Sequence, residues 1–160
     1  MLKFTPYHDL IKEVATTHNL LPNAVEAVVL QESGGETHAY RFEPQFWSRY
    51  LAKKIEWKHQ LPSRVSASYG LMQIMYPTAK EVGFHGQPEE LFIPLIGLTW
   101  GCVKLADLLT WARGDYNSAF AAYNGGKADN EPNHSPMLRN QTYATAIRSK
   151  QLALDSLSVI

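Results

Sequence analysis

Apolar residues recur at spacings of three and four along most of the chain, the period of helices that bury one face. Tyr7, Leu10, Ile11, Val14 and Ala15 form the first stripe, and Thr5 followed by Pro6 reads as a cap and a first-turn proline. Pro22 opens a second helix with Val25, Val28 and Val29 on one face, and Ser33-Gly34-Gly35 stops it after Glu32. A third helix is expected from Pro44 through Phe46, Trp47, Tyr50, Leu51, Ile55 and Trp57, ending before Pro62, with Lys53, Lys54 and Lys58 solvated. The run from Tyr69 to Tyr76 fits a strand or a buried turn equally well, and Pro77 then starts a helix that Gly83 ends.

After the Pro88-Glu89-Glu90 turn, Leu95, Leu98, Cys102, Leu105 and Leu109 mark a long core helix, which makes Cys102 a packing residue. A shorter helix runs from Tyr116 to Tyr123 and stops at Asn124-Gly125-Gly126. A polar loop follows over roughly Lys127 to Pro136, and a last helix over approximately Gln141 to Leu154. Six to eight helices with Gly and Pro punctuation, and no repeat or linker, predict one all-α domain over residues 1–160.

Composition narrows the partners. Fifteen Lys and Arg balance fifteen Asp and Glu, so the chain shows no electrostatic footprint for nucleic acid or an anionic membrane. A single cysteine excludes a disulfide framework or a Cys-based zinc finger within one chain. The first residues lack the apolar core of a secretory signal, and no run reaches the ~18 apolar residues of a membrane span. The expectation is a domain made without a signal peptide, a monomer that does not insert into membranes. Two N-x-[ST] matches, at Asn133-His134-Ser135 and Asn140-Gln141-Thr142, are read as chance.

Several chemistries drop out. H-E-x-x-H, G-x-S-x-G and G-x-x-x-x-G-K are all missing, and Gly125-Gly126-Lys127 has Ala121 where the phosphate loop needs glycine. The six histidines, His8, His18, His38, His59, His85 and His134, show no metal-ligand spacing. No metal or cofactor is expected.

Glu32 stands out because it lies seven residues after Val25, four after Val28 and three after Val29, on the buried face of its helix. Desolvation and the negative end of the helix dipole both oppose ionisation there, so the pKa should rise and the carboxyl should stay protonated near neutrality. A general acid needs that property. The competing possibility is a glutamate that bends out to solvent at a fraying helix end.

Glu32-Ser33, Gly70-Leu71-Met72-Gln73-Ile74-Met75, Ala122-Tyr123-Asn124-Gly125-Gly126 and then Tyr143 occur in that order over roughly residues 22 to 150. Together they resemble the soluble lytic transglycosylase family, which shares the goose-type lysozyme-like fold. The resemblance implies cleavage of the β-1,4 bond between N-acetylmuramic acid and N-acetylglucosamine in peptidoglycan, leaving 1,6-anhydro-N-acetylmuramic acid. It makes Glu32 the single acid and base, with Ser33 steadying its carboxylate and the adjacent sugar. Gln73 and Met75 would line the sugar subsite, with Gly70 and Met72 shaping its wall. Tyr123 and Asn124 would touch the sugar or order the loop beside Glu32, and Tyr143 would place its hydroxyl near the carboxylate.

Each of these has a structural alternative. The methionines, Leu71 and Ile74 suit a core, the tyrosines suit packing, and Asn124-Gly125 is a common turn. Only Gln73, a polar residue in an apolar run, independently calls for a buried partner.

Two features depart from the family pattern. An insert at about residues 38–64, which includes Glu43 as a conceivable second carboxylate, lengthens the interval from Glu32 to Gly70 and is a candidate groove wall. Arg139-Asn140-Gln141-Thr142 replaces the Glu-Thr pair expected before Tyr143. The alternatives are a muramidase of the same fold that uses water, and a non-catalytic glycan-binding or virion structural domain. A wall-degrading domain with no signal would resemble phage endolysins and virion-associated lysins, although a domain cut from a longer bacterial enzyme would look the same.

Overall fold

The computed structural model describes residues 1–127 and 138–159. Its helices are α1 (His8–Thr17), α2 (Pro22–Glu32), α3 (Pro44–Phe46), α4 (Pro62–Val65), α5 (Tyr76–Glu81), α6 (Pro94–Trp111), α7 (Tyr116–Gly125) and α8 (Leu138–Leu157). A π turn at Trp47–Leu51 continues α3, and a 3₁₀ turn at Pro88–Phe92 precedes α6. Among the described residues no helix is long and apolar enough to cross a membrane. Most of the polar stretch from Lys127 to Pro136, with the first N-x-[ST] match and His134, lies outside the described residues.

Helix starts follow proline, whose fixed φ suits the first turn and whose missing N–H costs nothing there. Prolines open α2, α3, α4, α5, the 3₁₀ turn and α6. α7 instead uses Asp115, whose carboxylate accepts from the N–H groups of Asn117 and Ser118. At the N-terminus the helix begins at His8 rather than at Pro6, and Thr5 caps the turn between them: its Oγ1 accepts from the Tyr7 N–H at 3.2 Å and its carbonyl from the His8 N–H at 3.2 Å. The backbone of Thr5 is also tied to α2. Its N–H donates to the fully buried carboxylate of Glu26 at 2.6 Å, and Nδ1 of His8 meets the other oxygen of Glu26 at 3.1 Å.

Two apolar clusters form the interior. The larger collects α1, α2, α6, α7 and α8 around Val25, Val28, Leu98, Leu105, Phe120 and Ile147. Cys102 is buried within it, as the periodicity predicts, whereas Leu95 is 52% exposed because it sits in the first turn of α6, ahead of the core-facing stretch. The smaller cluster gathers Leu51, Trp57, Val65, Tyr69, Ile74 and Phe84.

A small antiparallel sheet accompanies the smaller cluster, an element that the all-helical expectation lacked. Its strands β1 (Tyr40–Phe42), β2 (Ala67–Tyr69) and β3 (Ile74–Met75) lie in the order β1-β2-β3. The run from Tyr69 to Tyr76, ambiguous in sequence, is therefore the end of β2, a turn and β3. The register aligns Arg41, Ser68 and Met75 in one row and Tyr40, Tyr69 and Ile74 in the next. Because side chains alternate across a sheet, the first row turns one way and the second, with Tyr69 and Ile74, enters the small core.

The helix expected from Pro44 to Trp57 is not continuous. After the π turn the chain closes three-residue turns, with the Lys54 N–H on Leu51, Trp57 on Lys54 and Gln60 on Trp57. Ile55 and Trp57 are two residues apart and cannot share a helical face. Trp57 is 4% exposed and Ile55 is 84% exposed, while Lys53, Lys54 and Lys58 are solvated as expected.

Gly70 fixes the seam between sheet and helices. Its φ of +74° lies in the left-handed region, and a Cβ there would stand 2.4 Å from the Leu91 carbonyl oxygen. Only glycine allows that approach.

Candidate active-site groove

A groove of about 680 Å³ runs between the two clusters. Glu32, Lys104, Leu108 and Tyr123 line it from the large cluster's helices, and the Arg41-Ser68-Met75 row of the sheet lines it from the other side. The insert supplies much of that second wall through Arg41, Glu43, Gln45, Phe46, Arg49 and Tyr50.

Glu32 ends α2 and points into this groove rather than fraying to solvent. Burial holds its pKa above the ordinary carboxylate value, and three groups work against that rise. The strongest of them is the Tyr143 hydroxyl, which reaches over from α8 to donate to Oε1 of Glu32; the charges of Lys104 and Arg41 follow. Burial first, and then the Glu32 carboxylate, push the Tyr143 phenol far above its ordinary value, so it stays protonated and can donate.

Other predicted site residues divide into two groups. Gln73, Met75 and Asn124 line the groove, Asn124 from the exposed end of α7. Gln73 adopts a left-handed φ of +47° and spends both amide protons on backbone, donating to Ala39 at 2.8 Å and Gly70 at 3.0 Å. The buried partner that this polar residue called for is thus the loop itself.

Gly70, Met72 and Ser33 support the site from behind. Met72 is fully buried, packed so closely on α6 that a Cβ on Gly101 would meet its Sδ at 2.4 Å. Gly70 makes the close approach to Leu91 described above. Neither shapes the groove surface, which corrects the expectation of a wall role for both. Ser33 is likewise turned inward. Its hydroxyl donates to the Leu71 carbonyl at 2.7 Å and accepts from the Gly35 N–H at 3.2 Å, so it ties the end of α2 to the Gly70–Met75 segment instead of steadying the Glu32 carboxylate. Tyr123 does both jobs: it lines the groove, and its hydroxyl donates to the Met72 carbonyl at 2.6 Å.

The sequence reading missed Lys104. Its ammonium lies in the groove wall, donates to the Tyr123 carbonyl at 2.9 Å and sits 3.8 Å from the centroid of the Tyr123 ring. Burial depresses its pKa to about 8, with the Glu32 charge acting the other way. A signal existed: in the 18 residues of α6, Lys104 and Asp107 are the only charged residues, and both line the groove. Glu43 and Glu81 add further carboxylates, Glu43 held by Nε of Arg41 at 2.5 Å. Among the described residues no cluster of three or more His, Cys, Asp or Glu is arranged to hold a metal ion.

A helical domain with a small sheet, an open groove between two cores and a partly buried groove carboxyl under a tyrosine hydroxyl is a lysozyme-like domain. The family model for the transglycosylase SLT domain matches residues 9–141, and the chain belongs to that family. The fold is similar to that of the lytic transglycosylase Slt of Pseudomonas aeruginosa, solved as an inactive mutant, with a TM-score of 0.70 and 17% identity over 92% of this chain. It is also similar to the 70 kDa soluble lytic transglycosylase SLT70 of Escherichia coli, with a TM-score of 0.60 and 20% identity over 91% of this chain. The chain spans 24% and 21% of those two proteins. No curated protein sequence matches it.

Proposed function

We propose that this domain is a peptidoglycan lytic transglycosylase that cuts the β-1,4 bond between N-acetylmuramic acid and N-acetylglucosamine, with Glu32 as acid and then base. The observation that carries the reading is the Glu32 carboxyl, partly buried in an open groove, kept toward its protonated form and oriented by Tyr143. Membership of the SLT family and the likeness to two lytic transglycosylases support it.

In the first step protonated Glu32 gives its proton to the glycosidic oxygen, the C1–O bond breaks, and the substrate's own acetamido carbonyl stabilises the electron-poor C1. In the second step the Glu32 carboxylate takes the proton of the muramic acid C6 hydroxyl as that oxygen bonds to C1, which restores the acid. The attack is intramolecular and gains from proximity, so no water enters. Tyr143 and Lys104 stabilise the carboxylate present between the steps, and desolvation favours its return to the acid.

The hydrolytic alternative has one observation in its favour: other carboxylates, Glu43 among them, line the same groove, and a second carboxylate is what water activation requires. Mass analysis of digested muropeptides separates the two. Anhydro ends, one water lighter than reducing ends, are expected, and a digest with reducing ends alone would favour the muramidase. A protein that binds wall suspensions without clearing them, and whose binding and biological function Glu32→Gln leaves unchanged, would instead point to the non-catalytic reading.

A further inference from the structure

A second cavity, of about 390 Å³, adjoins the groove and shares Phe46, Tyr50 and Glu81 with it. The insert adds Leu51, Lys54, Glu56 and Trp57 to this cavity, and α5 adds Pro77 and Lys80. None of these six lines the groove. The size is that of a small-ligand site. Where the two spaces meet, Phe46 and Tyr50 form a tilted pair of rings 4.9 Å apart, and Tyr50 is exposed.

Lys80 brings an unspent donor to the cavity. Its ammonium lies 5.6 Å from the centroid of the Trp57 ring and 5.8 Å from that of Tyr76, which steadies the charge without offering its protons a lone pair. The carboxylate oxygen paired with it, Oε1 of Glu56, is 3.9 Å away, past hydrogen-bond reach, and both side chains are partly open to solvent. Among the described residues the Lys80 ammonium donates no hydrogen bond. Lys104, by contrast, spends its ammonium on the Tyr123 carbonyl.

We propose that this cavity is a side pocket for the peptide carried by a muramic acid in the groove, with Lys80 donating to a carboxylate of that peptide. The assignment rests on the lytic transglycosylase reading above, which puts a peptidoglycan strand in the groove. In such a strand every second sugar bears a lactyl group on O3, extended by a short peptide of mostly small residues that ends in a carboxylate. A peptide branching from a sugar inside the groove needs an opening beside it, and the cavity that meets the groove at Phe46, Tyr50 and Glu81 provides one. Leu51 and Pro77 suit the methyl groups of small residues. An ammonium with no hydrogen bond of its own suits a carboxylate, with which it makes a charge-assisted bond. A neutral sugar ring would leave that charge unanswered.

The test uses the full chain carrying Glu32→Gln, so that bound glycan is not cut, in titration calorimetry with two probes. One is a tetrasaccharide of alternating N-acetylglucosamine and N-acetylmuramic acid with tripeptides on its lactyl groups. The other is the same tetrasaccharide with those groups capped as methyl amides. The peptide-bearing probe should bind about tenfold more tightly, the scale of one charge-assisted hydrogen bond. Lys80→Met should close most of that gap. Glu56→Gln, which removes the competing carboxylate, should widen it about two- to threefold, the scale of an exposed ion pair. Loosened packing cannot move the gap in opposite directions, and Glu56→Gln decides alone if Lys80→Met does not fold. A gap that Lys80→Met leaves intact in a folded protein, or one that Glu56→Gln fails to widen, overturns the proposal. Equal binding of both probes to the unaltered pocket removes the side pocket alone, whereas failure of both to bind overturns the lytic transglycosylase reading itself.

Discussion

The ammonium of Lys104 holds the Tyr123 carbonyl at 2.9 Å and lies 3.8 Å from the centroid of that residue's own ring. One cation thus fixes the end of α7 and also acts on Glu32 in the same wall of the groove. Its charge pulls the Glu32 pKa down, against desolvation. Lys104→Met removes that pull, so Glu32 stays protonated to higher pH. The alkaline limb of the kcat/KM profile should move upward, and a limb that stays in place or moves down would rule out this coupling.

Tyr143→Phe acts on the same carboxyl by a different route. The phenol ring packs against the large cluster and remains, while the hydroxyl donated to Glu32 is lost. Because that bond favours the ionised form, its removal raises the Glu32 pKa further and destabilises the carboxylate between the two chemical steps. Turnover should fall roughly tenfold or more, the scale of a hydrogen bond to a charged group. Native kcat in a correctly folded variant would remove Tyr143 from the mechanism.

Glu32→Gln should abolish most activity, by roughly 10² to 10⁴ for the loss of a general acid. It should also change the pH dependence of stability. The folded-state pKa is raised above the ordinary 4.5, so whatever Glu32 contributes to stability is present below that value and lost as pH rises through the folded pKa. The neutral amide does not ionise. The thermal midpoint of the variant relative to the wild type should therefore climb from pH 4 to pH 8, and a flat difference would contradict a desolvated carboxyl.

Met72 and Gly70 separate support from contact. Met72→Ala should cost about 2–5 kcal/mol in urea unfolding, as for other fully buried large-to-small changes, while KM for the wall substrate stays near native. Gly70→Ala should also destabilise, by about 1–3 kcal/mol for overpacking alone, with the left-handed φ adding to it. A rise in KM without a stability loss in Met72→Ala would return that residue to the groove surface.

Local periodicity carried much of the helical frame because α2 and α6 start at a proline and α7 at the Asp115 cap. α2 and α6 begin at the residues or within one residue of where the pattern puts them. It failed after Leu51, where the chain closes three-residue turns up to Gln60 instead of continuing the helix. It also missed β1, whose three residues are all exposed and carry no alternation to read. At the site, Glu32 was legible from its own helix, since a carboxylate on an apolar face is a local anomaly. The support roles of Ser33, Gly70 and Met72 were not, because they depend on Leu71, Leu91 and Gly101, residues whose approach is set by the whole fold. Lys104 was passed over as a polar position in an apolar helix, and Glu26 was passed over because its partners Thr5 and His8 lie in a segment that looked like an ordinary cap.

The division of the interior into two cores has a thermodynamic corollary. The groove is the seam between them, so a glycan lying in it touches residues anchored in each and acts as a reversible tie. Whatever free energy the tie gains on binding is added to the resistance of the smaller core to opening. By the same linkage, a substitution that loosens the cluster around Trp57 and Tyr69, which do not line the groove, lowers the share of molecules in which both walls are in register, and weakens apparent affinity by that share.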